Sequence, residues 1–471
     1  MPRDVVRAMP RYRELAGIGG ELVYQYTSSI GHDHAIEKHV AYVLATHLTH
    51  LFEKDLIPRE AFCALAPVLL SMLREGNYIR EGYEDVFEAA EAYLEERAGS
   101  AANYLWLGRS RNDHVSAALR LYAVEKLVEL AKGLTRARRA LLGVATRWGN
   151  VPVLLHTHQQ PSQVGNIACL VLGWEEALSS VTQLALFATK LLARSPLGAS
   201  AGAGTIAPID PERLAELLGF ESVLSSTYAS GSRLDVALAV MVSAMFMAEA
   251  SRIASDLITY SSPYLGVIVI PDEHVATSSA MPHKRNPVTL EVLRARAARV
   301  AGYALGVLAI MHGLPYIYNL DLQEANPLLY TALSDAVEAS MILSDIFEKM
   351  GIDEKRSRAL VERYAPVSVE LAEISALREG KAFREAYREV AELLRKEPLA
   401  RLAESLLGPS WVDKVLELRK TGCTRHMNLG RVEARIALDE RKVSEIEERL
   451  VSSRKRIIEF LEEAWESCQR A

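Results

Sequence analysis

VSAALRLYAVEKLVELAKGLTRARRALLGVATRW, residues 115–148, holds no proline, and apolar side chains recur through it at mostly three- and four-residue steps as Leu119, Tyr122, Leu127, Leu130, Leu134, Leu141 and Ala145. That spacing puts them on one face of an α-helix. Four more proline-free runs, 163–194, 234–262, 288–313 and 328–350, read the same way. Strand signals are few: 265–270 is the best short β-like run and 151–155 a weaker one. Long helices with apolar faces too wide for one neighbour predict a bundle that also packs between subunits. The expected fold is therefore all-α, with three helical domains: an N-terminal one over 1–106, a central long-helix bundle over 107–355, and a C-terminal one over 356–471 with amphipathic segments near 383–394 and 431–461.

Composition agrees with that picture. The 471 residues predict about three domains at roughly 150 residues each, and 49% hydrophobic with 24% charged residues is an ordinary globular balance. The most apolar stretches, 236–248 and 301–311, are shorter than the ~18 residues of a membrane span and read as buried helices, so no membrane partner is expected. Residues 1–20 carry scattered arginines and no apolar core, hence no secretory signal and an expected cytoplasmic location. A net charge of −6 gives no general attraction to nucleic acid, and Arg136, Arg138 and Arg139 read as a solvated helix face. The four cysteines, 63, 169, 423 and 468, share no Cys-x-x-Cys spacing, so neither a disulfide framework nor a zinc ribbon is expected. Only 9 Asn and 7 Gln accompany many Arg and Glu, an amide scarcity that suggests a thermophile.

Those scarce amides cluster in polar segments ahead of long helices. The first segment is Gly108-Arg-Ser-Arg-Asn-Asp113, with Asp113 as the expected N-cap. The second is His156-Thr-His-Gln-Gln-Pro-Ser-Gln163, with Pro161 expected in the first helical turn. The third is Thr277-Ser-Ser-Ala-Met-Pro-His-Lys-Arg-Asn-Pro287, with Asn286 as cap and Pro287 as first-turn proline. Helix starts present unpaired N–H groups, so each segment has the chemistry to hold a carboxylate. The lone His156/His158 pair has no Cys or carboxylate cluster near it, and neither a metal nor another cofactor is expected.

Geometry adds a constraint. A continuous helix over the 34 residues 115–148 is about 50 Å long. The ten residues from 149 to 158 retrace at most ~35 Å. The first and second segments of one chain then cannot meet, and if they serve one site the active form is a homo-oligomer with shared sites.

The third segment resembles the signature loop of the fumarase/aspartase superfamily, whose members release fumarate by elimination. Its Ala-Met-Pro-His-Lys-Arg-Asn spelling is closest to the adenylosuccinate lyases. The first segment with Leu119-Arg-Leu121, and Tyr318-Asn-Leu-Asp-Leu-Gln-Glu324, resemble the argininosuccinate lyase family instead. Weaker matches are Ser29 with Asp33, Glu84-Asp-Val86, Pro196-Leu-Gly198 and Gly380-Lys-Ala-Phe-Arg-Glu-Ala386. They run in the family's order through most of the chain.

The resemblance implies cleavage of argininosuccinate to arginine and fumarate, a step of arginine biosynthesis, by a homotetramer whose sites each draw on three chains. Ser278 is the implied base on a mobile loop, with Lys284 and Asn286 as the carboxylate-binding pair. His158 is the implied acid-side histidine, with Thr157 beside it on the substrate and Glu291 orienting it, unless Glu291 simply pairs with Arg294 or Arg296. Ser29, Ser110, Arg111 and Asn112 are implied to hold the substrate's carboxylates and amino group, with Gln160, Tyr318 and Gln323 completing the pocket, though Tyr318 also suits a core position. Two alternatives stand beside this one: elimination on another N-substituted aspartate such as adenylosuccinate, and a catalytically weak paralogue kept for structure or binding.

The chain also departs from the family pattern. Asn326 stands for a lysine that grips a substrate carboxylate, Leu234 for an arginine, and Phe87 and Trp106 for histidines. Arg233, one residue early, offers a replacement cation.

Overall fold

The computed structural model describes residues 21–419, 421–423 and 428–470. The leader-free reading of 1–20 lies outside them. After a short helix at Glu21–Thr27, three longer helices lead in, α1 Glu37–Glu53, α2 Arg59–Glu75 and α3 Val86–Ala98. All five proline-free runs then appear as long helices, α4 Arg111–Trp148, α5 Ile167–Leu192, α6 Leu234–Ser261, α7 Val288–Met311 and α8 Asn326–Lys349. Shorter helices follow, among them α9 Phe383–Leu394, and then the 42-residue α10 Leu429–Arg470, which contains the segment expected at 431–461. Strands among the described residues are confined to three two-stranded ribbons, so the all-α reading holds.

The bundle is α4 to α8. α4 lies against α5 and α8, while α6 lies against α5, α7 and α8. Every one of the seven apolar residues singled out on α4 is buried. α4 runs unbroken through Gly133, where α8 crosses so closely that a Cβ would overlap Ser340. That crossing explains a glycine in mid-helix, which otherwise costs about 1 kcal/mol against alanine. By length and composition α6 would serve as a membrane span, yet it sits inside the bundle with Val236, Val240, Phe246 and Leu257 buried.

Several local expectations fail. Residues 160–166 are not the start of a helix. They form β2, Gln160–Asn166, antiparallel to β1, Pro152–Thr157, and α5 starts only at Ile167, where the Asn166 side chain accepts from Cys169 N at 2.9 Å. Pro161 is thus a strand residue. The weak 151–155 signal is the core of β1, whereas the stronger run at 265–270 keeps only Ile268–Val269 as strand, paired with Gly351–Ile352.

Arg138 is not solvated. It is fully buried, donating to Glu175 at 2.9 Å and to Asp439 at 2.8 Å, with Gln183 at 2.6 Å on Asp439 and Arg435 on Glu175. This network joins α4, α5 and α10. Its flanking arginines are surface pairs, Arg136 with Glu348 and Arg139 with Glu440.

The cysteine reading is overturned. Cys63 on α2 is bonded to Cys468 on α10 with their Cα atoms 5.8 Å apart, and Cys169 on α5 to Cys423 with Cα atoms 5.2 Å apart. The partners are 405 and 254 residues apart in sequence, and the return of the C-terminal part of the chain along α2, α4 and α5 brings them together.

Candidate active site

The first polar segment starts α4, but the cap is Ser110 rather than Asp113. Ser110 Oγ accepts from Asn112 N at 3.3 Å, and Asp113 in the third helical position reaches back to Ser110 N at 3.1 Å. This is a capping box. The other oxygen of Asp113 accepts from Gly198 N at 3.2 Å and Ser200 N at 2.8 Å, tying down the Pro196-Leu-Gly198 loop. Burial pushes the Asp113 carboxyl up to about 6 despite these donors.

Beside it opens a cavity of about 300 Å³. Ser29 and Asp33 reach it from the turn before α1, Glu84 and Asp85 from the start of α3, Arg111 and Asn112 from the start of α4, Tyr318 and Gln323 from the 313–325 connection, and Asn326 from the start of α8. Ser29 Oγ donates to Asp33 Oδ2 at 2.7 Å, and Val86 N donates to the same oxygen at 3.1 Å. Burial, against those two donors, raises the Asp33 carboxyl to about 6. Asp85 caps α3 by accepting from Glu88 N at 2.8 Å. Arg111 faces Glu84 at 3.3 Å, Asp85 at 3.4 Å and Glu91 at 3.5 Å. Burial works against its charge, but these acids together push its pKa up. Gln323 Nε2 donates to Thr27 O at 2.9 Å.

The positions that depart from the family pattern are mostly here too. Phe87, Trp106 and Asn326 line the cavity, and Trp106 carries the Arg109 guanidinium 4.4 Å from its ring centroid. Leu234 is exposed and does not line it. Nor does Arg233. That guanidinium is buried 5.7 Å from the Tyr318 ring centroid, donating to the carbonyls of Ser230 and Ser232 at 3.2 and 3.0 Å, and desolvation lowers its pKa to about 10.

The second polar segment is the tip of the β1–β2 hairpin. Thr157 pairs with Gln160, and the two residues between them, His158 and Gln159, have φ of 52° and 58°. Positive φ at both central positions is the primed two-residue turn that suits a twisted hairpin, though without the usual Asn-Gly. Thr157, His158 and Gln160 are exposed, and the His158 side chain has no partner among the described residues.

The third segment leaves the protein surface at Ala276 and returns at Asn286. The two residues exchange backbone hydrogen bonds of 2.9 and 2.8 Å that close the loop at its base. Asn286 is therefore a bridge residue, and Pro287, not Asn286, occupies the cap position of α7. Ser278 Oγ accepts from Ala280 N at 3.3 Å. Lys284 is exposed with no ion pair among the described residues, and Glu291, in the first turn of α7, pairs with neither Arg294 nor Arg296. Arg296 is instead held by Asp335 and Glu338.

One chain thus brings together Ser29, Arg111, Asn112, Tyr318 and Gln323, with Ser110 adjoining as cap. It does not bring Thr157, His158, Gln160, Ser278, Lys284, Asn286 or Glu291 to that cavity. The unbroken α4, 38 residues and about 57 Å long, separates the first segment from the hairpin side of the bundle. Among the polar residues that line this cavity, Asp33, Glu84 and Asp85 were given no role from the sequence, although their segments had been matched. Their acidity is the signal that was available.

Residues 21–302 match the model of a protein family described as Lyase. The chain is 39% identical over 429 residues to the argininosuccinate lyase of Pyrobaculum calidifontis, covering 88% of this chain and 99% of that one. It is 41% identical over 399 residues to the argininosuccinate lyase of Pyrobaculum islandicum, covering 84% and 92% respectively. The fold is similar to that of a solved structure of EDDS lyase in complex with formate, with a TM-score of 0.81 at 20% identity over 94% of this chain and 96% of that one. With a matching family model over 21–302 and relatives aligned along almost their whole length, the chain belongs to the argininosuccinate lyase family of the lyases.

Proposed function

We propose that this chain cleaves argininosuccinate to arginine and fumarate, at sites shared between the subunits of a homotetramer. The observation that carries the reading is the alignment with proteins named argininosuccinate lyase over 84–88% of the chain. The placement of the polar segments supports shared sites: the cavity residues, the hairpin tip and the loop above α7 are complementary in chemistry but lie apart in one chain. Exposed Met245, Leu305 and Met341 on α6, α7 and α8 supply apolar faces for helix contacts between copies.

In the reaction a base removes a proton from the carbon beside a carboxylate, the carboxylate takes up the developing negative charge, and the nitrogen leaves with the bonding pair and accepts a proton. Ser278 is the proposed base, its alkoxide stabilised by Lys284, which has no competing carboxylate partner among the described residues. Lys284 and Asn286 hold the carboxylate. His158, oriented by Glu291 from another subunit, serves the leaving nitrogen. Thr157 and Gln160 flank it on the hairpin, while Ser29, Ser110, Arg111, Asn112, Tyr318 and Gln323 receive the remainder of the substrate.

The test is fumarate release, followed by ultraviolet absorbance, with argininosuccinate and adenylosuccinate offered separately at high temperature. Release from argininosuccinate is expected. Release from adenylosuccinate alone would transfer the reading to that substrate, and silence with both would favour the non-catalytic paralogue. A cytoplasmic location belongs to the same proposal. Two disulfides are compatible with it in a hyperthermophile, where intracellular proteins retain such bonds, and the relatives come from thermophiles.

A further inference from the structure

The cavity at the start of α4 is acidic. The described residues that line it include three carboxylates, Asp33, Glu84 and Asp85, and one cation, Arg111, which is engaged by Glu84, Asp85 and Glu91. Asp33 is buried and has no cationic partner among the described residues; its hydrogen bonds there come from the Ser29 hydroxyl and the Val86 amide. Side chains already occupy amides at two of the helix starts around the cavity. Amides at the N-terminus of α3 are taken by Asp33 and Asp85, and amides around the start of α4 by Ser110 and Asp113. The nearby Arg233 faces backbone carbonyls, and where a second carboxylate would need a counter-charge the lining offers the neutral Asn326, Gln323 and Tyr318.

An uncompensated buried carboxylate attracts a cation and repels an anion. The succinyl end of the substrate is a dianion, so it belongs against the Lys284 loop of another subunit, and the cavity receives the far end of the leaving group. We propose that this cavity is an ammonium-binding half-site that does not require a carboxylate on the leaving group, so that N-substituted aspartates whose leaving chain ends in a bare ammonium are substrates of the same elimination. The proposal rests on the elimination reading above and narrows its substrate class. In the forward direction the C–N bond breaks with its electron pair on nitrogen, the proton of the adjacent carbon passes to the base, the C=C bond of fumarate forms, and the acid protonates the leaving guanidine. In reverse, the guanidino nitrogen adds to one olefinic carbon and the neighbouring carbon takes the proton.

The reverse direction gives the experiment. Fumarate is incubated with the full-length protein and either arginine or agmatine, which is arginine without its carboxylate, and loss of fumarate absorbance is measured. Agmatine is expected to react with kcat/KM within tenfold of arginine or above it. An agmatine reaction more than tenfold slower overturns the half-site while leaving the elimination reading intact. If neither amine reacts the half-site is overturned, and cleavage of argininosuccinate in the forward direction then decides whether the elimination reading falls with it. Two variants separate charge from packing. Asp33→Asn is expected to raise KM for agmatine at least tenfold with little change in KM for fumarate. Asn326→Lys is expected to shift the arginine-to-agmatine preference at least tenfold towards arginine. Equal changes for both amines in Asn326→Lys would overturn the electrostatic account.

Discussion

Ser278 and Asp33 place opposite demands on their surroundings. Ser278, as the proposed base, must lose a proton, and it sits on an exposed loop whose Lys284 has no ion pair among the described residues; Ser278→Ala is expected to reduce fumarate release by at least ~10²-fold while the oligomer, measured by light scattering, is unchanged. Asp33 holds its proton more tightly in the folded protein than in the unfolded chain, because burial raises its pKa to about 6 from 3.8. The native state therefore binds more protons between those values, and this group's contribution to stability falls as pH rises through that window. Asp33→Asn should accordingly gain in melting temperature relative to the parent chain between pH 4 and pH 7, as calorimetry at the two pH values would show. At this scale the exposed loop residues were legible because their motif is contiguous. Asp33, Glu84 and Asp85 were less so, since the acidity of the cavity exists only after segments from two parts of the chain converge.

The long helices could be read from apolar spacing alone, because each buries a continuous stripe. Their ends could not. Asp113 and Ser110 are both good cap residues, and the choice between them depends on the Gly198 and Ser200 amides that Asp113 meets in the folded protein. The hairpin of β1 and β2 was missed because its turn uses His158 and Gln159 at positive φ, without the Gly or Asn that marks such turns. Arg138 was misread because its carboxylate partners are 37 and 301 residues away. Removing it leaves Glu175 and Asp439 buried beside an incomplete set of cations, so Arg138→Ala is expected to destabilise by roughly 3–5 kcal/mol in denaturant titration. At the α4–α8 crossing, Gly133→Val should cost about 1–3 kcal/mol or more by overpacking against Ser340. A thermal melt of that variant, set beside Gly143→Val at a helical glycine with open space around its Cβ position, isolates the crossing from helix propensity.

For the whole molecule, separation of the polar segments in one chain predicts complementation. Ser278→Ala and Asn112→Ala proteins, each inactive alone, should regain fumarate release when unfolded together and refolded, because some mixed sites draw each segment from an intact copy. No recovery, with mixed oligomers verified by mass, would count against shared sites. The disulfides act on the unfolded chain as well as the folded one, each contributing about 2–4 kcal/mol, so a reducing agent should lower the melting temperature at constant pH. Cys63–Cys468 also changes what a break in the backbone means. It turns the stretch from α2 to the end of α10 into a covalent ring, so a single cut between residues 63 and 468 linearises the ring without releasing a fragment. A molecule nicked once by heat or a protease remains one piece, its cut ends held near each other by the surrounding bundle, and reveals the damage on a gel only after reduction.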